Sequence, residues 1–315
     1  MARQDPLNGK LVVLLGGSGF VGTHVAQALL ERGARLRIAS RNPEQAFKLK
    51  PLANLGQIQF ARCDVTRKDS VEAAMRDADA AVYLVGSFSG DQKALHVDGA
   101  RCAAEAAKKG AASSFVYLSG LGVDKESEAR YARTKALGEE AVLQAFPKAT
   151  IMRPAAMFGE DDNFIQMFGG LIAMLPALPV FGSEAELQPL WVDDAAEAIA
   201  EALANPGTHG GKTYEIAGPD TFTMGELYER IARAQGRART FLPVPDFASS
   251  IFAALPGTPM NSDQWILLKR SSALRGDKPG LENFRIEPHP LGLFLDKWMT
   301  RYRKHGRFGK KGLVA

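Results

Sequence analysis

Leu11-Val12-Val13-Leu14-Leu15-Gly16-Gly17-Ser18-Gly19-Phe20-Val21-Gly22 is the stretch that decides the fold. Five apolar residues in a row fit a strand buried on both faces, as in a parallel sheet. The glycines break that run, and the spacing of residues 21–33 fits an amphipathic helix. Gly16 permits the tight turn, Gly19 lets backbone approach a pyrophosphate, and Gly22 lets the helix pack closely on the strand. N–H groups at the helix start then face the anion. Glycines so spaced between a strand and a helix form a dinucleotide signature, so Gly16, Gly17, Ser18, Gly19, Phe20, Val21 and Gly22 are cofactor-binding candidates.

Working outward, strand and helix signals alternate through the first half of the chain. Strands are expected at 10–15, 35–40, 58–62, 81–85, 114–118 and 150–153, and helices at 21–33, 70–78, 95–109 and 130–145. A further strand at 213–216 follows a helix at 194–205. This alternation predicts an α/β fold: a Rossmann-type doubly wound parallel sheet with the ligand over the carboxyl ends of its strands. From about residue 218 prolines break the texture, and the helix at 224–235 has Thr223 as its expected N-cap. The expected organisation is an NAD(P)-binding Rossmann domain over 1–160, completed by 190–217. Residues 161–189 and 218–296 form a smaller, mainly helical lobe on the substrate side, and 297–315 a basic tail.

The chain has 315 residues, 46% of them hydrophobic, enough to bury a full core. The first ten residues hold no apolar h-region, and no apolar run approaches the roughly 18 residues a membrane span needs. Cys63 and Cys102 have neither metal-ligand spacing nor a disulfide framework. These features predict a cytoplasmic protein, or one peripheral to the inner membrane. The formal net charge is +4, yet Lys297, Arg301, Arg303, Lys304, Arg307, Lys310 and Lys311 supply +7 with no acid among them, leaving the rest at −3. No nucleic-acid module accompanies that charge, so no nucleic-acid partner is expected. Leu291-Gly292-Leu293-Phe294-Leu295, Trp298 and Tyr302 beside these cations read as an interfacial segment for an anionic membrane surface, a frayed terminus, or a dock for an acidic protein surface.

The second strand ends Ser40-Arg41, where NAD-selective sites place an acid on the ribose hydroxyls. A guanidinium there suits a 2′-phosphate, so NADP(H) is preferred and NAD(H) stays open. Asp64-Val65 follows the third strand, where an acid holds the adenine amino group and an apolar residue packs the ring. Val85-Gly86 closes the fourth strand beside the adenosine ribose. Tyr131 and Lys135 share a helix face at a spacing of four, so an ammonium there favours the phenolate that acid–base chemistry needs and bonds the nicotinamide ribose.

These residues resemble the short-chain dehydrogenase/reductase superfamily in its extended or atypical branch. GGSGFVG, Asp64-Val65, YARTK at 131–135, Arg153-Pro154 followed by Gly159, and WVDDAAEAI at 191–199 fall in that family's order. The likeness covers residues 10 to 235 and is greatest to the NADPH-binding accessory subunit of respiratory complex I (alpha subcomplex subunit 9) and its bacterial homologues. The resemblance implies a Ser–Tyr–Lys catalytic set, for which Ser119, Tyr131 and Lys135 stand, and a cofactor contact at Pro154. Where family enzymes carry an Asn after the fourth strand, His96 replaces it, with donation to a water relay as its role.

Two functions follow. In one the chain is an accessory subunit or assembly factor of a membrane respiratory complex, with NADPH mainly structural. In the other it is a reductase or epimerase acting on a small hydrophobic substrate such as a quinone or isoprenoid, with Tyr131 as proton donor. His24 reads as a surface or boundary residue, His209 as a loop residue, and Asp193-Asp194 as a helix cap. Glu160, Asp161 and Asp162 lack His or Cys partners, so no metal is expected.

Overall fold

The computed structural model describes residues 4–255, 258, 260–276 and 278–304. The chain divides into two compact units. The first comprises Met1–Pro154, Val192–Ile216 and Gly276–Glu287, and the second Ala155–Trp191, Ala217–Arg275 and Pro288–Ala315.

Unit 1 is built on a parallel seven-stranded sheet. Its strands are β1 (Leu11–Leu15), β2 (Arg35–Ser40), β3 (Ile58–Arg62), β4 (Ala80–Tyr83), β5 (Ser114–Leu118), β6 (Thr150–Pro154) and an edge strand, Thr213–Ile216. The spatial order is edge strand, β6, β5, β4, β1, β2, β3. Order reverses at β1, which pairs with β2 on one side and β4 on the other, so Leu15 stands beside both Ala39 and Tyr83. That reversal opens the crevice in which doubly wound folds bind their ligands. Every residue of β1 and β5 is buried, as a strand covered on both faces requires.

The helices α1 (Phe20–Glu31), α2 (Lys68–Met75), α3 (Gly99–Lys109) and α4 (Arg130–Ala145) flank the sheet with the helix Val192–Ala204. Arg32 at the end of α1 bonds Glu197 and Glu201 of that last helix, and also Asp5. The helix begins at Val192, so Asp193 and Asp194 lie in its first turn. Asp193 is paired with His24 Nδ1. His209 is no loop residue. It closes the one-turn helix Pro206–His209, buried, with Nδ1 2.8 Å from the Tyr214 hydroxyl and its ring stacked on Phe284.

The helix expected at 95–109 begins instead as a π-turn over Ala94–Asp98 before α3. A π-register misaligns carbonyls from the usual i+4 donors. Here the buried hydroxyls of Tyr83 and Tyr117 donate to the Leu95 and His96 carbonyls. Gly138 of α4 sits against this turn, where a Cβ would fall inside the His96 carbonyl and the Tyr117 hydroxyl.

Unit 2 has its own core, in which Phe158, Ile165, Phe168, Leu227, Ile231, Leu295 and Trp298 pack together. Helix Met224–Ala234 carries the expected cap: Thr223 accepts from the Glu226 N–H, and the Glu226 carboxylate accepts from the Thr223 N–H. Asp162 caps helix Phe164–Met174, accepting from the Ile165 N–H at 2.6 Å and the Gly159 N–H at 3.0 Å. The segment read as an interfacial tail starts as a packed helix, Gly292–Met299, with Leu295, Trp298 and Met299 buried. Tyr302 donates to Gln166, and Arg303 donates to the Ala234 carbonyl. The remaining tail cations, Arg307, Lys310 and Lys311, lie outside the described residues. Among the described residues no helix is long and apolar enough to cross a membrane, and no three His, Cys, Asp or Glu side chains cluster as metal ligands.

Candidate functional site

At the carboxyl end of β1 the chain turns at Gly16, whose φ is +85°. A Cβ there would stand 3.0 Å from the Val85 side chain, so β1 passes directly beside the end of β4. At Gly17 a Cβ would meet Leu14 at 2.7 Å, and at Gly22 the Gly17 backbone at 2.6 Å. Only glycines allow the loop and α1 to close this tightly, which is the cradle a pyrophosphate requires. Gly19 is the N-cap of α1 and no side chain caps that end, which leaves first-turn N–H groups for an anion. Ser18 completes the turn, and Phe20 and Val21 open α1.

Two hydroxyls at the carboxyl ends of the sheet strands are left open. Ser40 Oγ at the end of β2 and Ser119 Oγ after β5 are buried with no hydrogen-bond partner. A buried hydroxyl without a partner is costly, and a bound group at each place would satisfy it. Beside Ser40, Arg41 is exposed and faces Asp64, whose carboxyl is held below its usual range. The larger cause is Thr66, whose hydroxyl and N–H donate to Asp64 Oδ1 at 2.8 and 3.0 Å; Arg41 adds to it. Val65 lies in the core beneath.

Further along the crevice, α4 delivers Tyr131 and Lys135 together to Gly86. A Cβ on Gly86 would lie 3.5 Å from the Tyr131 hydroxyl and 3.6 Å from Lys135 Nζ. Lys135 is buried and donates to the Val85 carbonyl at 3.0 Å and the Leu118 carbonyl at 2.7 Å. Burial pushes its ammonium down to about 7, against the opposing field of Glu139. The expected lowering of the phenol is not what the structure shows. Burial pushes Tyr131 up to about 12, because desolvation outweighs a lysine whose protons go to carbonyls. Gly120, next to Ser119, approaches the Tyr131 ring, and the Leu121 N–H donates to the Pro154 carbonyl at 2.8 Å.

His96 does not serve a water relay. Its Nε2 accepts from the Ser87 N–H at 3.0 Å, so its Nδ1 proton faces Thr134 Oγ1 at 2.8 Å. Burial, with the nearby Lys135 charge, lowers the imidazole to about 3 and keeps it neutral. Both nitrogens are engaged, and the ring clamps the loop after β4 to α4. Two features escaped the sequence reading altogether. Phe88 stacks on Tyr131 at a centroid distance of 4.1 Å and 18° between planes. Glu139, one turn beyond Lys135, takes Arg153 bidentately at 2.9 and 2.7 Å, and Arg153 also bonds Glu215. The Tyr-x-x-x-Lys spacing signalled α4 but held no cue to either.

The sheet order, the glycine turn at its switch point and the Tyr/Lys pair beside it define an NAD(P)-binding protein of the short-chain dehydrogenase/reductase type. Residues 16–169 match the NAD(P)H-binding family model, and residues 124–261 the RmlD substrate binding domain. The chain is 30% identical to NADH dehydrogenase (ubiquinone) 1 alpha subcomplex subunit 9, mitochondrial, of Arabidopsis thaliana, over 96% of this chain and 80% of that one. It is 27% identical to the ceramide reductase of Caulobacter vibrioides, over 75% and 74% of the two chains. The fold matches the Citrobacter sp. triphenylmethane reductase complexed with NADP(H), with a TM-score of 0.73, 18% identity, and coverage of 93% and 99%. The chain belongs to the atypical short-chain dehydrogenase/reductase-like family that includes the alpha subcomplex subunit 9 proteins.

Proposed function

We propose that this chain is an accessory subunit or assembly factor of a membrane respiratory NADH:quinone oxidoreductase, and that it holds NADP(H) mainly as a structural ligand. The subunit assignment is supported by the relatives and their coverage of the chain. The observation that carries the structural role is the commitment of Lys135, whose Nζ donates to the Val85 and Leu118 carbonyls. A phenol pushed up to about 12, beside an amine pushed down to about 7, is poorly set for proton donation near neutral pH. The same two groups suit ribose binding: Lys135 is tethered by two carbonyls and stands with the Tyr131 hydroxyl at Gly86.

In this reading the glycine turn with the start of α1 holds the pyrophosphate, Asp64 and Val65 the adenine, and Val85 and Gly86 the adenosine ribose. Ser40 and Arg41 hold the 2′-phosphate, Ser119 and Pro154 line the nicotinamide end, and Tyr131 and Lys135 hold its ribose. Bound there, the nucleotide would supply a hydride donor. Trp298 and Leu295 are committed to a core, so among the described residues these two are not anchors for a lipid surface. A protein complex is therefore the favoured partner, with an anionic membrane surface as the alternative.

The second reading is an NADPH-dependent reductase or epimerase acting on a hydrophobic substrate. Its support is Ser119, whose buried, unpartnered hydroxyl would bond a substrate carbonyl while Tyr131 donated a proton. The two are separated by incubating the purified full chain with NADPH and a soluble quinone. The first predicts one retained NADPH per chain and an oxidation rate that Tyr131→Phe leaves unchanged. Sustained NADPH oxidation abolished by Tyr131→Phe would replace it with the second.

A further inference from the structure

The geometry points to Phe88 as a positioning residue that dedicates the Tyr131 hydroxyl to the bound nucleotide. This rests on the reading above that Tyr131 contacts the nicotinamide ribose. Phe88 lies on the loop after β4, and that loop is braced rather than loose. The Ser87 N–H is held by His96, Ser87 Oγ donates to the Ser89 carbonyl at 3.0 Å, and Asp91 accepts from the Ala94 N–H at 3.0 Å. His96 in turn is tied to Thr134, about one turn of α4 after Tyr131 and directly before Lys135. These bonds tie the loop to α4, and Phe88 is the loop residue stacked on the phenol.

The Tyr131 ring is flanked by two others. Phe88 covers one face at 4.1 Å, and the His96 ring meets it edge-on at a centroid distance of 5.2 Å. A ring held by these two neighbours presents its hydroxyl at Gly86, where Lys135 Nζ also comes. The Phe88 face also disfavours the phenolate, since its π cloud is negative and excludes water. Phe88 therefore does two things that a smaller residue would not: it fixes the hydroxyl for the ribose and keeps it protonated, as a donor. Phe88 keeps 37% of its own surface exposed, so its replacement leaves the core intact.

The test uses the full chain with tyrosine labelled at Cζ with carbon-13, the Tyr131 signal being the one absent from Tyr131→Phe. In the unaltered chain that signal stays in its neutral position to pH 11. In Phe88→Ala it titrates near the ordinary value of about 10. NADPH binds about threefold to tenfold more weakly to Phe88→Ala, the range expected for one aromatic pair. Phe88→Trp restores both properties, and Phe88→Ala adds nothing further in a Tyr131→Phe background. If Tyr131→Phe weakens NADPH but Phe88→Ala changes neither titration nor affinity, the role of Phe88 is refuted while the ribose reading stands. If Tyr131→Phe binds NADPH as the unaltered chain does, the ribose reading fails and this inference falls with it.

Discussion

Lys135 offers the most quantitative prediction, because its burial and its partners set both a sign and a size. Its ammonium titrates at about 7 in the fold against an ordinary 10.5. Between those values the unfolded chain binds one more proton than the folded one, so stability rises with pH across that window. The gain is lost as pH falls towards 7. A neutral amine still has two N–H protons, enough for the Val85 and Leu118 carbonyls, so only the third proton comes and goes. The perturbation is Lys135→Met, nearly the same shape without a titrating group. From pH 7 to pH 9, at about 1.4 kcal/mol per pH unit and half-titration at the start, the unaltered chain gains about 2 kcal/mol over the variant. At pH 9 the variant also leaves two carbonyls without partners, at roughly 1–3 kcal/mol each. Urea unfolding of both chains without nucleotide, at pH 7, 8 and 9, measures the difference. A stability gap that stays constant with pH would show that Lys135 is not titrating near neutrality and would refute the reasoning.

Gly22→Ala pits about 1 kcal/mol of helix propensity against a Cβ placed 2.6 Å from the Gly17 backbone. Overpacking against backbone costs roughly 1–3 kcal/mol, so the variant is expected to be less stable and to bind NADPH weakly, read by thermal unfolding and calorimetry; a stabilised variant with full affinity contradicts the cradle. Arg41→Ala should weaken NADPH on the order of tenfold or more, as a lost charge-assisted bond would, and leave NADH nearly unchanged; equal losses remove the 2′-phosphate assignment. His96→Asn shortens a side chain that spans from Ser87 to Thr134, so a loss of roughly 1–3 kcal/mol is expected in urea unfolding. An Asn variant as stable as the unaltered chain would show that the clamp is unimportant.

The fold was legible because its signals are local. The run Leu11–Leu15 is apolar since both its faces are covered, and the glycines that follow meet backbone where a Cβ would not fit. Tyr131 and Lys135 were legible for the same reason, four residues apart on one helix. What escaped depends on neighbours distant in sequence. The π-turn at Ala94–Asp98 is held by hydroxyls from β4 and β5, and no pattern within residues 94–98 announces them. His96 looked like a proton donor because its type is visible, whereas the two partners that fix its tautomer are not. Phe88 lies in an irregular loop, where no periodicity points a side chain. Trp298 among lysines and arginines reads as an interfacial residue, and only its packing against Phe158 and Phe294 shows a core position. Glu139 is one helical residue among many until β6 and the edge strand bring Arg153 and Glu215 to it.

The central claim is that the chain works inside a respiratory complex, with its nucleotide retained rather than turned over. Sedimentation of gently solubilised native membranes tests it most directly, following this protein, NADPH content and NADH:quinone reductase activity through one gradient. The account predicts a single fast-sedimenting peak in which all three coincide, and loss of NADPH from that peak in an Arg41→Ala strain. Sedimentation of the protein as a free chain of about its own 34.0 kDa mass, away from the reductase activity, would contradict it.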